Sequence, residues 1–240
     1  MVMSLKSKKF SRLQTNPFDS DLYLSLQIKA IKNRIKKNNA EKVYMEFGGK
    51  IFDDFHASRV LPGYLSDMKF RIIKKLFKNS EIIFVVSAKD IIRKRIRGDH
   101  KITYDIESLR IMNNMQKQGV VIKNVVITRM PTDGTIPRKI KSFKKILENN
   151  SHNVFLLKEG VDYVNPRKDW SLYKTNNFVL TKKKYIIILS PGGGSGKFGV
   201  CVNQLFHEMK RGITPFYIKF ETFPIHDLSI THPLNLAYMA

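Results

Sequence analysis

The sequence predicts an α/β fold in which a mostly parallel sheet carries helices on both faces, in Rossmann-like layers. Apolar runs rich in β-branched residues alternate along the chain with amphipathic stretches of helical spacing, and parallel strands need such crossover helices. The chain has 240 residues, 42% of them hydrophobic, and is long enough to bury a core. Its longest apolar runs, 82–86 and 185–189, are far shorter than the roughly 18 residues of a membrane-spanning helix, so no contact with a membrane is expected.

The first elements alternate between helix and strand. Ser20 is a residue type that caps helices, and Leu22, Ile28 and Ile31 follow it at near-helical spacing, which predicts a helix over 21–36. The next predicted elements are a strand over 43–47, a helix over 66–76 and a buried strand over 81–87.

The same alternation continues into the second half of the chain. The predicted elements are helix 106–118, strand 120–128, helix 137–148 and strand 154–157. Residues 160–183 break this rhythm with Asn-Pro, Asn-Asn and lysine clusters. We therefore expect an α/β domain over 1–165 and a P-loop-like segment over 166–240. That segment contains strand 184–189, a glycine cluster, helix 197–210 and strand 216–220.

The charge is strongly positive, with 43 Lys and Arg against 20 Asp and Glu and a net charge of +23. Such a field attracts polyanions in a salt-dependent way. The lysines are scattered over nearly every segment, which is more typical of a solvated surface than of a dedicated nucleic-acid site. Cys201 is the single cysteine, and no apolar leader follows Met1. Both features predict a cytoplasmic protein without an intramolecular disulfide.

A glycine-rich loop is the sharpest chemical signal. It lies between a predicted strand and a predicted helix, where converging backbone amides and the helix amino terminus favour an anion. The expected binding residues are Gly192, Gly193, Gly194, Ser195, Gly196 and Lys197. Lys197 would supply positive charge to the β and γ phosphates, so the expected ligand is a nucleoside triphosphate with a divalent metal.

The loop departs from the usual phosphate-loop pattern at two positions. Pro191 stands where the pattern has glycine, and Phe198 stands where it has Ser or Thr. The hydroxyl that normally binds magnesium is therefore missing, so nucleotide binding is expected to survive this departure better than hydrolysis. A plain structural turn is the alternative interpretation of the glycines.

A second polar group follows the first predicted strand. Acid, imidazole and guanidinium groups at a strand's carboxyl end can orient a substrate or hold a metal. The candidate catalytic residues are Glu46, Asp53, Asp54, His56 and Arg59. Surface hydrogen bonds and a helix cap are the alternative explanation.

Two further clusters carry side chains that could bind phosphate or act as a nucleophile. The basic run 93–97 could grip phosphate, although a solvated helix face explains it as well. Cys201 and His207 are six residues apart on a predicted helix, which places them on roughly opposite faces. A nucleophilic pair is therefore not expected, and Cys201 is expected in the core.

Several strings, in order along nearly the whole chain, resemble the bacterial family of uncharacterised proteins called domain of unknown function 1846. They are EFGGK at 46–50, DDFHASRVLPG at 53–63, AKD at 88–90, IRGD at 96–99, ITYD at 102–105, the glycine loop, QLFHE at 204–208, KRG at 210–212 and KFETFP at 219–224. The resemblance implies a cytoplasmic protein with a nucleotide-loop-like segment at 192–197. It also implies that this chain corresponds to the amino-terminal half of longer proteins.

The function expected from these observations is binding of a nucleotide or phosphorylated small molecule through the glycine loop. Whether the protein is an enzyme stays open. The alternatives are a Lys-rich module that binds nucleic acid or protein without catalysis, and an inactive fragment of a longer protein. The sequence is compatible with non-specific polyanion binding and with a homo-oligomer.

Overall fold

Six parallel strands form the main sheet of the computed structural model, which describes residues 18–76, 80–158 and 171–220. These strands are β1 (Lys42–Phe47), β2 (Glu81–Ser87), β5 (Asn124–Met130), β6 (Asn153–Lys158), β7 (Tyr185–Leu189) and β8 (Pro215–Phe220). A separate antiparallel hairpin consists of β3 (Ile96–Arg97) and β4 (Ile102–Thr103). The order in the main sheet is β6-β5-β2-β7-β1-β8, and neighbouring strands run parallel.

Helices connect the strands and cover the sheet. They are α1 (Ser20–Lys36), α2 (Phe55–Val60), α3 (Met68–Leu76), α4 (Ala88–Ile92), α5 (Tyr104–Lys117), α6 (Arg138–Asn149), α7 (Ser171–Thr175) and α8 (Lys197–Lys210). The predicted α/β class, with a parallel sheet and helices on both faces, is confirmed. No helix within these described ranges combines the length and the apolar character that crossing a membrane requires.

The two faces of the sheet bury different sets of side chains, because neighbouring residues of a strand point to opposite sides. On one face Met45 and Phe84 pack with the apolar sides of α1, α3, α5 and α6. On the other face Tyr44 and Val85 pack with Val200 of α8. The central strands are buried on both faces, which explains their continuous apolar runs.

The predicted bounds differ from those of the structure by up to four residues, and two of the differences have a clear physical cause. Asp19, rather than Ser20, caps α1, since its carboxylate accepts hydrogen bonds from the amides of Asp21 and Leu22 at 3.1 and 2.9 Å. Ser20 Oγ instead donates to the carbonyl of Gly63 at 2.7 Å. Strand β5 begins at Asn124, four residues later than predicted, because the apolar run before it belongs to the connection from α5.

The strands on both sides of the expected division at residue 165 share one sheet. Strand β7 lies between β2 and β1, and β8 pairs with β1 at the edge. The division itself falls within residues 159–170, which lie outside the described residues.

Candidate anion-binding site

The glycine loop, residues 190–196, joins the carboxyl end of β7 to the start of α8. On leaving β2 the chain goes to β5 on one side, whereas on leaving β7 it goes to β8 on the other. Parallel sheets bind ligands where successive connections diverge in this way. The loop therefore lies at the edge of the sheet where a ligand site is expected.

The backbone of the loop depends on Gly196. This residue is the N-cap of α8, with φ of 87°, in the left-handed region that favours glycine. A Cβ atom at this position would lie 2.9 Å from Oγ1 of Thr128. The same hydroxyl donates a hydrogen bond of 2.6 Å to the carbonyl of Ser195, so β5 fixes the end of the loop.

Lys197 folds back over the loop that precedes it. Only 6% of the surface of Lys197 is exposed, and its Nζ donates a hydrogen bond of 3.0 Å to Oγ of Ser190. Ser190 Oγ in turn donates to the carbonyl of Gly192 at 2.7 Å. The ammonium group is thus held against the loop rather than extended into solvent.

The loop also contains hydrogen-bond donors that find no acceptor among the described residues. Within the described part of the chain, the backbone amides of residues 193–196 donate to no protein acceptor. The hydroxyl of Ser195 is buried and likewise has no hydrogen-bond partner among the described residues. These donors lie at the amino terminus of a 14-residue helix, whose dipole adds positive potential. The arrangement suits an anion.

The hairpin and the start of α5 frame the loop from the other side. Arg97 Nη1 donates to the carbonyl of Pro191 at 3.1 Å. Gly192 lies against Tyr104, since a Cβ atom there would be 3.0 Å from the phenol oxygen. Arg95 lies over the same ring, with its guanidinium carbon 4.9 Å from the ring centroid. In the sequence both arginines belong to the basic run 93–97, where nothing distinguishes them from Arg93 and Lys94.

A polar network extends from Arg97 away from the loop. Glu107 is fully buried, pairs with Arg97 and accepts from Nε of Arg110 at 2.7 Å. Arg110 Nη2 also donates to Oδ2 of Asp53, which lies 3.0 Å from Nε2 of His100. Partial burial raises the pKa of Asp53, but the hydrogen bonds and charges of Arg110 and His100 outweigh it and hold this pKa below its ordinary value.

Three members of this network have the geometry of a metal-ligand set. One ligand atom each from Asp53, His100 and Glu107 lies within 4.8 Å of the others. However, Nη2 of Arg110 lies 2.5 Å from Asp53 Oδ2, 3.0 Å from Glu107 Oε1 and 3.1 Å from His100 Nε2. The guanidinium of Arg110 already bonds to both carboxylates, and a metal ion would have to displace it. The group is therefore best described as an arginine-centred ion-pair network.

The candidate catalytic residues do not form one cluster, because the described ones contact different parts of the protein. Glu46 is buried on the α8 side of the sheet and accepts from the hydroxyl of Tyr217 at 2.7 Å. Asp54 forms an ion pair of 3.2 Å with Lys69. Asp53 joins the network that reaches the loop through Arg97.

The remaining two candidates lie on α2. Arg59 is exposed, and its Nε donates to the carbonyl of Phe55 at 3.2 Å. The side chain of His56 lies outside the described residues. The structure therefore supports Asp53, among the described candidates, as the residue connected to the loop.

Cys201 lies in the core, as expected. It is fully buried, and burial raises the pKa of its thiol well above the ordinary value. His207 stacks on Phe178, with ring centroids 4.3 Å apart, and burial lowers its imidazole pKa. These surroundings give the two residues separate packing roles.

The resemblance noted in the sequence is confirmed by comparison with known proteins. A family model described as "Domain of unknown function DUF1846, N-terminal" matches residues 16–240. A UPF0371 protein of Streptococcus equi subsp. equi is 39% identical over 226 residues, covering 93% of this chain and 45% of the relative. A UPF0371 protein of Clostridium botulinum (strain ATCC 19397 / Type A) is 40% identical over 224 residues, covering 92% of this chain and 43% of the relative.

A third relative gives the same proportions. The UPF0371 protein of Streptococcus pyogenes serotype M1 is 37% identical over 231 residues, which cover 95% of this chain and 46% of the relative. The chain thus spans about half the length of the curated relatives it matches. With the family match over residues 16–240, these similarities show that the chain belongs to the DUF1846 family and matches its amino-terminal part.

Proposed function

We propose that the glycine loop binds the phosphate groups of a nucleotide or of another phosphorylated small molecule. One observation carries the proposal. The ammonium of Lys197 is held 3.0 Å from Ser190 Oγ at the start of the loop, and the backbone amides of residues 193–196 donate to no acceptor among the described residues. Convergent amides, a helix amino terminus and a lysine are the groups with which proteins bind phosphate.

The location of the loop supports the same function. It sits where the connections after β2 and β7 diverge, and its shape is maintained by contacts on both sides. Thr128 holds the carbonyl of Ser195, and Arg97 holds that of Pro191. A preorganised loop binds its ligand without a large cost of ordering backbone.

The proposal is one of binding rather than hydrolysis. Phe198, which is 49% exposed, follows Lys197 and has no hydroxyl for a magnesium ion. A divalent ion would therefore need a bridging water or another carboxylate as its ligand. Asp53 is the candidate to orient a second substrate, since its network reaches the loop through Arg97.

Equilibrium titration calorimetry with ATP and ADP tests this function. Lys197→Ala should weaken binding by at least about tenfold, because a hydrogen bond to a charged group contributes about 1.5–3 kcal/mol. Lys141→Ala is the matched control, since it removes the same charge from an exposed position on α6 and should leave the affinity unchanged. Equal affinities of wild type and Lys197→Ala would remove the loop from the function.

The alternative, a Lys-rich surface that binds nucleic acid, gives a different result. It predicts binding of an oligonucleotide that weakens steeply with salt. It also predicts that Lys197→Ala and Lys141→Ala have equal effects, because both substitutions remove one positive charge. The same three proteins therefore separate the two functions.

A further inference from the structure

We propose that Arg95 is a second phosphate-binding residue of this site, so that two protein cations hold a diphosphate-bearing ligand without a divalent metal. The inference rests on the proposed function and adds the class of ligand. It assigns a role to the hairpin region, which the sequence pattern of phosphate loops does not include.

The position of Arg95 carries the inference. One of its terminal nitrogens lies 3.9 Å from the place that a Cβ atom of Gly194 would occupy. Its guanidinium lies over the ring of Tyr104, which itself contacts Gly192. The side chain is nevertheless 52% exposed, so donors remain available to a ligand on the loop. Arginine has five such donors in a planar fork that matches phosphate oxygens.

Asp90 forms an ion pair with this arginine. Its Oδ1 lies 3.3 Å from Nη1 of Arg95, while its buried Oδ2 has no hydrogen-bond partner among the described residues. A carboxylate beside a bound phosphate is unfavourable unless a cation lies between them. Arg95 is placed to be that cation, and Asp90 is therefore a positioning residue.

The two cations approach the loop from different elements. Lys197 comes from α8 and contacts Ser190, whereas Arg95 follows α4 and lies beside Gly194. Two separated positive charges match two linked phosphate groups better than a single charge does. The missing hydroxyl at Phe198 points the same way, because Arg95 would supply charge that magnesium supplies where that hydroxyl is present.

The test measures the dissociation constants of ADP and of inorganic phosphate by titration calorimetry, in EDTA and in magnesium. Arg95→Ala should weaken ADP binding by about 10–100-fold, the factor that corresponds to a charge-assisted hydrogen bond, and should weaken phosphate binding less. Arg93→Ala removes the same charge from an exposed neighbour and should have little effect. Binding of ADP to the wild type should be equally strong in EDTA and in magnesium.

Each of the other possible outcomes would overturn a specific part of the proposal. If Lys197→Ala loses ADP binding but Arg95→Ala matches Arg93→Ala, the proposed function stands and the role of Arg95 is wrong. If the wild type binds ADP in magnesium but not in EDTA, a metal ion rather than Arg95 neutralises the phosphates, and Asp90 becomes its candidate ligand. If the wild type binds neither ADP nor phosphate under both conditions, the proposed function and this inference both fail.

Discussion

The hydroxyl of Thr128 donates a 2.6 Å hydrogen bond to the carbonyl oxygen of Ser195, and this contact leaves no room for a side chain at the next residue. Thr128 belongs to β5, which lies two strands away from β7 in the sheet. The glycine loop is therefore fixed by a distant part of the chain as well as by its own glycines.

Replacing Gly196 should destabilise the protein. In Gly196→Ala the new Cβ would lie 2.9 Å from Thr128 Oγ1, at a residue with φ of 87°. Backbone strain and the clash together should lower the free energy of unfolding by more than about 2 kcal/mol. Urea denaturation followed by circular dichroism measures the change.

Gly193→Ala is the control for this substitution. A Cβ atom at Gly193 meets nothing within 4 Å. The free energy of unfolding of the Gly193→Ala variant should therefore stay within about 1 kcal/mol of the wild-type value. Equal stabilities of the two alanine variants would contradict the described loop conformation.

Glu208 should stabilise the protein through a buried ion pair between α8 and the start of β1. It is fully buried, and its Oε1 accepts from Nζ of Lys42 at 2.6 Å and from the hydroxyl of Tyr44 at 2.8 Å. Glu208→Gln leaves the Lys42 ammonium without its carboxylate and should cost about 3–5 kcal/mol in thermal or urea unfolding. Glu148→Gln breaks the more exposed pair with Lys144 and should cost less than about 1 kcal/mol. Similar losses in both variants would argue against the buried pair.

The stability contributed by Asp53 should depend on pH. Because its folded-state pKa is lowered by Arg110 and His100 against the opposing effect of burial, its contribution is present above the ordinary carboxyl pKa and is lost as the pH falls through the lowered value. Asp53→Asn should therefore be less stable than the wild type at neutral pH. The gap should shrink as the pH falls below the ordinary carboxyl pKa of about 3.9. Urea unfolding over this range checks it, and a gap independent of pH would count against the ion pair.

Cys201 should be inert in the folded protein. Its thiol is fully buried with a raised pKa, so the reactive thiolate is scarce. A colorimetric thiol reagent should react slowly with the native protein and should label one thiol per chain in urea. Fast labelling without denaturant would show that α8 does not pack as described.

The strands and long helices could be predicted because their signals are local. The signal of each element is contained in a short stretch of sequence. Strands β2 and β7 are continuous apolar runs, and α8 shows helical periodicity. The order of strands could not be predicted, since the insertion of β7 between β1 and β2 depends on contacts between residues far apart in the chain. The two-residue strands of the hairpin are too short to produce a periodic pattern.

The site was predictable where its contacts follow the chain. Lys197 and the glycines before it form one continuous segment, whereas Arg97 and Thr128 reach that segment from other elements. The position of Glu46 could have been predicted more precisely from the sequence. It is two residues after Tyr44, so strand alternation already places it on the α8 face, where it binds Tyr217.

Amide chemical shifts of the loop provide the most direct test of phosphate binding. On titration with ADP, the backbone amides of residues 193–196 should shift together and saturate with a single dissociation constant. The same titration of Lys197→Ala should require a much higher ligand concentration. Unchanged loop amides, or shifts confined to exposed lysine-bearing helices such as α6, would contradict the central claim that these amides are the phosphate donors.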